Sequence, residues 1–244
     1  MDMNLIRSRY KVTGVLRAEE AYAALRAVNI ESGGAREYLL NVYEGAQARR
    51  YASCFDHLRR CPELCEVFVT DGALVSVFNY TDAPDIDRMF YKGASVKWRE
   101  RVDYAQLLLH LALSVSDYPA EIACAAFYSG NLIPLPKEGA LAVNFAVSPA
   151  PANTRELMYL LTDQMKKVLL RRFGSPSAEL DFIEELESWR YDTIGKIYSR
   201  WQDVKRVLEE EYEALERMNA LKRTIKLALA ALQRRVVKRK GGTR

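Results

Sequence analysis

The first 80 residues alternate short apolar runs with turn signals, and the order of these runs limits the folds that the chain can adopt. Runs rich in Tyr, Val, Leu and Ile predict five strands, at residues 9–16, 21–30, 36–43, 64–69 and 73–80. A helix is predicted between the third and fourth strands, over residues 46–60, where Ala48, Tyr51, Phe55 and Leu58 recur at helical intervals. Asp71-Gly72 supplies the turn of a hairpin. Three strands, a helix and a hairpin indicate an α+β chain.

The remainder of the chain is mainly helical. A short helix is predicted around residues 85–91 and an apolar helix over 103–118, followed by two short strands at 132–135 and 141–145. Asn153 and Ser175 are predicted helix N-caps, with Pro176 at the first helical position.

A run from Asp203 to Lys240 has apolar residues at three- and four-residue steps without Gly or Pro, and this run predicts one long amphipathic helix. Three regions follow from these patterns: a β-rich lobe over residues 1–80, a mainly helical lobe over 81–200, and the long helix with a basic end over 201–244.

Three short motifs carry a resemblance to a known family. Arg-Glu-Tyr-Leu-Leu-Asn-Val-Tyr at 36–43 sits where protein kinases have their Val-Ala-Ile-Lys strand. Phe-Tyr-Ser-Gly-Asn-Leu-Ile at 127–133 resembles the end of the kinase catalytic loop, and Asn144-Phe145-Ala146 resembles the Asp-Phe-Gly motif. Residues 8–200 therefore resemble a protein kinase, which implies a two-lobed α+β fold with a β-rich N-lobe and a helical C-lobe.

The same resemblance places unsuitable residues at the catalytic positions. Asn41 stands at the Lys position, Ala126 at the catalytic Asp position and Asn144, before Phe145, at the metal-binding Asp position. Only Asn131 matches the kinase pattern, and the first strand turn has one glycine in place of a glycine-rich loop. The chain is therefore predicted to be a pseudokinase, with no enzymatic activity, no cofactor and no metal.

The C-terminal region is the predicted interaction surface. Residues 221–244 hold nine basic side chains and no acidic one; the formal charge of +4 includes those nine, so the rest of the chain is at −5. The interaction residues are apolar positions of the long helix and the basic cluster at its end: Leu208, Leu215, Ile225, Leu232, Arg234, Arg235, Lys238, Arg239 and Lys240. The predicted partner is another protein or an anionic membrane surface. The protein partner includes a second copy of the chain, because the acidic half of one long helix would face the basic half of the other. Nucleic acid is disfavoured.

Other interpretations remain open on the sequence. The function predicted first is an inactive kinase-like scaffold in the cytoplasm or at the inner face of a membrane, for example within a secretion machine. Among kinase-like families, the chain looks most like the cytosolic module of the EssB/YukC proteins of bacterial type VII secretion. The alternatives are an atypical active phosphotransferase or nucleotide-binding protein, and a non-kinase α+β domain with a coiled-coil assembly helix. Zinc at Cys54, His57, Cys61 and Cys65 is disfavoured, because Pro62 interrupts that segment.

Overall fold

The computed structural model describes residues 5–31, 33–34, 36–58, 61–91, 94–150, 152–169 and 175–241, and of residues 231–241 it describes the backbone alone. The chain forms two compact units, the first made of residues 1–89 and 111–161 and the second of residues 90–110 and 162–244. The predicted lobe boundaries at residues 80 and 200 stay a prediction.

A six-stranded antiparallel sheet forms much of the first unit. Its strands are β1 (Leu5–Ile6), β2 (Tyr10–Glu19), β3 (Tyr22–Asn29), β4 (Glu37–Tyr43), β5 (Leu64–Thr70) and β6 (Ala73–Asn79), in the order β1-β2-β3-β4-β6-β5. The five predicted strands and the Asp71-Gly72 hairpin are confirmed; both turn residues have positive φ, 51° and 79°. Strand β1 was not predicted, because two residues are too few to show an alternating pattern.

The sheet curls around an apolar core. Tyr10, Ala27, Leu40, Val75 and Val77 form the buried cluster. The Tyr10 ring stacks on Phe68 at 6.3 Å between centroids, although β2 and β5 are not neighbours in the sheet. This contact requires a strongly twisted sheet, which is the usual consequence of the right-handed twist of its strands.

Helix α1 (Gly45–Asp56) begins one residue after β4 and packs an aromatic face onto the sheet. Its Tyr51 ring stacks on Tyr43 of β4 at 4.4 Å between centroids, and its Phe55 ring lies 6.1 Å from Phe78 of β6. Because Tyr51 and Phe55 are four residues apart, they share one face of the helix, and both are buried.

The rest of the first unit contains short elements around a second, two-stranded sheet. They are α2 (Ile86–Met89), α4 (Ala120–Ala125), a 3-10 turn at Ser129–Asn131, β7 (Leu132–Leu135) and β8 (Ala140–Val143). The predicted strand pair is confirmed, with Leu132 opposite Val143. Helices α3 (Trp98–Val115) and α5 (Thr154–Leu169) contribute residues to both units. Asn153 caps α5 as predicted, since its Oδ1 accepts a hydrogen bond from the Glu156 backbone N–H at 2.9 Å.

The second unit holds α6 (Ser177–Glu187), α7 (Ile194–Glu216) and α8 (Ala220–Gly241). The prediction of one helix from Asp203 to Lys240 is wrong, because the chain leaves the helix between Glu216 and Ala220. Asn219 explains the break: its Oδ1 accepts a hydrogen bond from the Lys222 N–H at 2.9 Å and starts a new helix. The prediction of Ser175 as the N-cap of the next helix is also wrong, because α6 begins at Ser177 and Pro176 is at the N-cap position.

Aromatic and apolar side chains of α7 fill the interior of the second unit. Trp201 is fully buried and its ring lies 5.3 Å from Phe182 of α6. Trp98 of α3 stacks on Tyr212 at 4.7 Å between ring centroids. Within the described part of the chain, no helix combines the length and the apolar character that crossing a bilayer requires.

Candidate functional site

Three buried asparagines of the first unit meet at residues 144–147, the segment that follows β8. Asn41 comes from β4, Asn131 from the 3-10 turn before β7, and Asn144 from the end of β8. Their exposed fractions are 0%, 6% and 4%. These are the residues that the sequence analysis placed at kinase positions, and the structure brings all three together.

Asn41 uses every hydrogen-bonding group of its side chain. Its Oδ1 accepts from the Tyr22 hydroxyl at 2.8 Å and from the Val147 backbone N–H at 2.9 Å. Its Nδ2 donates to the Phe145 carbonyl at 2.8 Å and to the Ser76 hydroxyl at 3.3 Å. A primary amide can make two donations and accept at two lone pairs, so no capacity remains for a ligand.

Tyr22 is fixed as a donor in this network. Its hydroxyl is buried among the side chains of the sheet, and burial raises the pKa of Tyr22 above its ordinary value. The phenol therefore stays protonated near neutral pH and donates its hydrogen bond to Asn41.

Asn144 binds the backbone N–H and C=O of a single residue between β6 and α2. Its Oδ1 accepts from the Thr81 backbone N–H at 2.8 Å, and its Nδ2 donates to the Thr81 carbonyl at 2.9 Å. This pair of bonds repeats the exchange of N–H and C=O between two residues of an antiparallel ladder. Both groups of Thr81 are thus already occupied.

Asn131 holds the loop before β7. Its Nδ2 donates to the carbonyl of Ala125 at 2.7 Å and to that of Ala146 at 3.1 Å. The backbone carbonyl of Asn131 accepts a hydrogen bond from the backbone N–H of Asn144 at 2.8 Å. Ala126, the residue at the predicted catalytic Asp position, is fully buried and has no polar side-chain atom. Phe145 is also buried and stacks on Phe78 at 5.2 Å between ring centroids.

A cleft of about 460 Å³ lies beside these asparagines in the first unit. Its volume suits a small organic ligand. Asn131 and Asn144 line it, together with Leu39, Tyr80, Tyr128 and Ile133, whereas Asn41 does not. The sequence analysis did not name Leu39, but strand alternation puts residues 39 and 41 on one face and could have found it.

The charges of the cleft largely cancel. Arg17 is paired with Glu19, and Asp82 accepts from Arg26 at 3.1 Å. The Asp85 carboxylate accepts from the Arg88 backbone N–H at 3.0 Å, at the start of α2. Arg88 is exposed, and no ion pair to its side chain occurs within the ranges that the structure describes. The cleft therefore lacks the concentration of positive charge that a triphosphate needs.

The predicted interaction residues do not form one surface. Leu208 and Leu215 are buried in the second unit, whereas Ile225 is 52% exposed. The backbone of α8 continues through the remaining positions, but their side chains lie outside the described part of the chain: Leu232, Arg234, Arg235, Lys238, Arg239 and Lys240.

The cysteines are placed apart from the cleft. Cys61 and Cys124 are buried, and burial raises the pKa of each thiol to about 11. Among the residues that the structure describes, no three His, Cys, Asp or Glu side chains are grouped so that they could hold a metal ion.

Comparison with known proteins identifies the fold. No protein-family model matches the chain, and no curated protein matches it by sequence. Among solved structures, an apo pseudokinase has a TM-score of 0.57 at 9% identity, covering 80% of this chain and 92% of that one. The PknI kinase domain of Mycobacterium tuberculosis has a TM-score of 0.55 at 11% identity, covering 84% and 99%.

A third similar structure is that of Rad53 residues 1–466 in complex with AMP-PNP, with a TM-score of 0.57, 11% identity, and coverage of 80% of this chain and 65% of that one. These likenesses confirm the predicted fold class, an α+β chain with a protein kinase-like fold. The neighbours include kinases and a pseudokinase, so they leave activity open.

Proposed function

We propose that this chain is a catalytically inactive kinase-like module that acts by binding other molecules. The observation that carries the proposal is Asn41, whose amide makes four hydrogen bonds inside the protein. At this position an active kinase has a Lys that neutralises the α- and β-phosphates. A neutral amide without a free donor cannot supply that charge.

The metal-binding positions support the same proposal. Phosphoryl transfer depends on Mg²⁺ ions held by the Asp of Asp-Phe-Gly and by the Asn of the catalytic loop. Here the second position keeps the kinase Asn, as Asn131, but the first is Asn144, a neutral amide whose Oδ1 accepts from the Thr81 N–H. The carboxylate that would bind the cations is therefore missing, so a divalent cation gains little over its hydration shell.

The linker offers little to a nucleotide base. That linker, residues 79–82 at the end of β6, is where a kinase-like cleft would contact the adenine, and it is the remaining source of affinity for ATP. Both backbone groups of Thr81, in the middle of that linker, are taken by Asn144. We therefore expect ATP to bind no better than millimolar, a binding free energy of about −4 kcal/mol.

A titration of thermal stability with ATP and Mg²⁺ tests the proposal, together with an assay for transfer of labelled γ-phosphate to a generic acceptor or to the chain itself. We expect no saturable stabilisation below about 1 mM ATP and no transfer. Micromolar binding that Asn144→Ala abolishes, while Asn219→Ala at the α7–α8 turn retains it, would refute the proposal and favour the nucleotide-binding alternative.

Two predictions from the sequence concern the role of the module: a scaffold and a part of a secretion assembly. The kinase-like fold argues against the alternative of a non-kinase α+β domain. The resemblance to EssB/YukC proteins has no support from the comparisons, so a place in a secretion assembly remains a prediction from sequence. We propose the scaffold role because a fold of this size without catalytic groups offers large surfaces for partners.

A further inference from the structure

Helix α8 presents an apolar stripe that its own unit leaves uncovered. Leu221, Ile225 and Leu229 are 71%, 52% and 55% exposed. Their four-residue spacing places them on one face of the helix. A different face contacts the unit: Leu227 and Ala230 are half-buried and line a small cavity of about 50 Å³ with Leu215 of α7.

The stripe is bordered by cations. Lys222, Arg223 and Lys226 are exposed on the same two turns, and α8 contains no acidic residue over its whole length, Ala220–Gly241. The helix has 22 residues and is thus about 33 Å long. Exposed apolar residues flanked by Lys and Arg are typical of helices that lie in the interface of a membrane.

A second copy of the chain fits this surface less well. Three acidic residues of the second half of α7, where a partner's basic helix would bind, already have partners in their own unit. Glu216 accepts from the Trp98 indole at 2.7 Å and lies 3.6 Å from Arg99, and Glu213 lies 3.3 Å from Arg217. Glu211 accepts from the Ala178 backbone N–H at 3.0 Å.

Two copies of α8 facing each other would bring like charges together across a symmetric interface. A nucleic acid would satisfy the cations but leave the apolar stripe uncovered, and α8 has no aromatic residue on which a base could stack.

We infer that α8 docks on an anionic lipid surface, with Leu221, Ile225 and Leu229 in the acyl boundary and the flanking cations at the headgroups. The inference does not depend on the inactivity of the cleft. Apolar burial and attraction to anionic headgroups act together in such helices, so both parts of the surface are needed.

Sedimentation with vesicles tests this, using phosphatidylcholine alone and phosphatidylcholine with about 30 mol% phosphatidylserine. We expect the full chain to sediment with the anionic vesicles, not with the neutral ones, and to lose binding as salt increases. Leu221→Gln/Ile225→Gln/Leu229→Gln should weaken binding at least tenfold, about 1.4 kcal/mol. Glutamine retains helix propensity, and circular dichroism verifies that the variant is folded.

Matched controls distinguish binding through α8 from effects of overall net charge and overall surface hydrophobicity. Lys222→Glu/Arg223→Glu/Lys226→Glu should also lose binding, whereas Lys11→Glu/Lys97→Glu/Lys137→Glu, with the same change of net charge at exposed sites, should retain it. Leu113→Gln/Val207→Gln, at exposed apolar positions of α3 and α7, controls for the loss of surface hydrophobicity.

Four outcomes would overturn the inference. Equal binding to both vesicle types, or no effect of either α8 variant, rejects anionic lipid as the partner. A dimer in sedimentation equilibrium that the stripe variant dissociates assigns the surface to a second copy. Binding to duplex DNA or RNA that needs the cations and tolerates the stripe variant assigns it to nucleic acid.

Discussion

The side-chain amide of Asn144 exchanges two hydrogen bonds with the backbone N–H and C=O of Thr81, at 2.8 and 2.9 Å. In an active kinase the residue at position 144 would hold a metal ion. In this chain Asn144 joins the end of β8 to the segment after β6.

Restoring the kinase residue at this position should damage the fold. In Asn144→Asp the new carboxylate can accept from Thr81 N–H but faces the Thr81 carbonyl without a donor. We expect a loss of about 3 kcal/mol in the free energy of unfolding at neutral pH, measured by urea denaturation. Facing that carbonyl favours the protonated carboxyl and raises its folded-state pKa, so the loss should shrink as the pH falls through that pKa and be smallest below about pH 4, where the carboxyl can donate.

Asn219→Asp is the matched control for this substitution. The Asn219 side chain caps α8 through its Oδ1, which accepts from the Lys222 N–H, and Asp is an equally good N-cap. Equal effects of Asn144→Asp and Asn219→Asp would contradict the role assigned to the Thr81 pair.

Removal of the Asn41 amide should be still more costly. Asn41→Ala leaves the Val147 N–H and the Phe145 carbonyl buried without their partner. We expect the free energy of unfolding to fall by about 4 kcal/mol, against about 1 kcal/mol for Tyr22→Phe, which removes one donor from the network. Equilibrium unfolding of both single variants and of the double variant gives the coupling free energy between Asn41 and Tyr22. Additive effects would argue against a shared network.

The capping role of Asn219 makes a separate prediction. Asn219→Ala removes the acceptor for the Lys222 N–H and should lower the free energy of unfolding by about 1 kcal/mol, with a loss of helical signal in circular dichroism. If the variant gains helical signal, α7 and α8 have merged into the single helix that the apolar spacing predicts.

Acid should weaken the second unit through Glu185. Arg200 donates to its two carboxylate oxygens at 2.9 Å each, and these hydrogen bonds lower the pKa of Glu185 in the folded state. Unfolded chains bind the proton more readily, so the contribution of the pair is complete above about pH 5.5 and is lost as the pH falls through the folded-state pKa. Arg200 is 41% exposed, so we expect about 1 kcal/mol at most.

Urea denaturation across this pH range checks the prediction. Glu185→Gln should flatten the acid side of the stability profile, whereas Glu210→Gln, in an exposed pair at 3.9 Å with Arg206, should leave it unchanged. A profile that keeps its full slope in Glu185→Gln would assign the acid sensitivity to other carboxyl groups.

The sequence predicted five of the six strands of the large sheet, the helix after the third of them and the two short strands of the second sheet, because alternation and turn residues are local signals. It could not show that Asn144 would meet Thr81 or that Asn41 would meet Val147, 63 and 106 residues away, since no local pattern selects a distant backbone group. The continuous helix over 203–240 was wrong because apolar spacing persists through the break, and a single Asn cap outweighed it.

The first unit is assembled from two separate stretches of chain, and this has a consequence during synthesis. Asn41 leaves the ribosome 106 residues before Val147, and through that interval its amide has neither the Val147 N–H nor the Phe145 carbonyl. The β-rich stretch must wait in an incomplete state until the later stretch is released, so a fragment ending after β6 should be prone to aggregation or capture by chaperones.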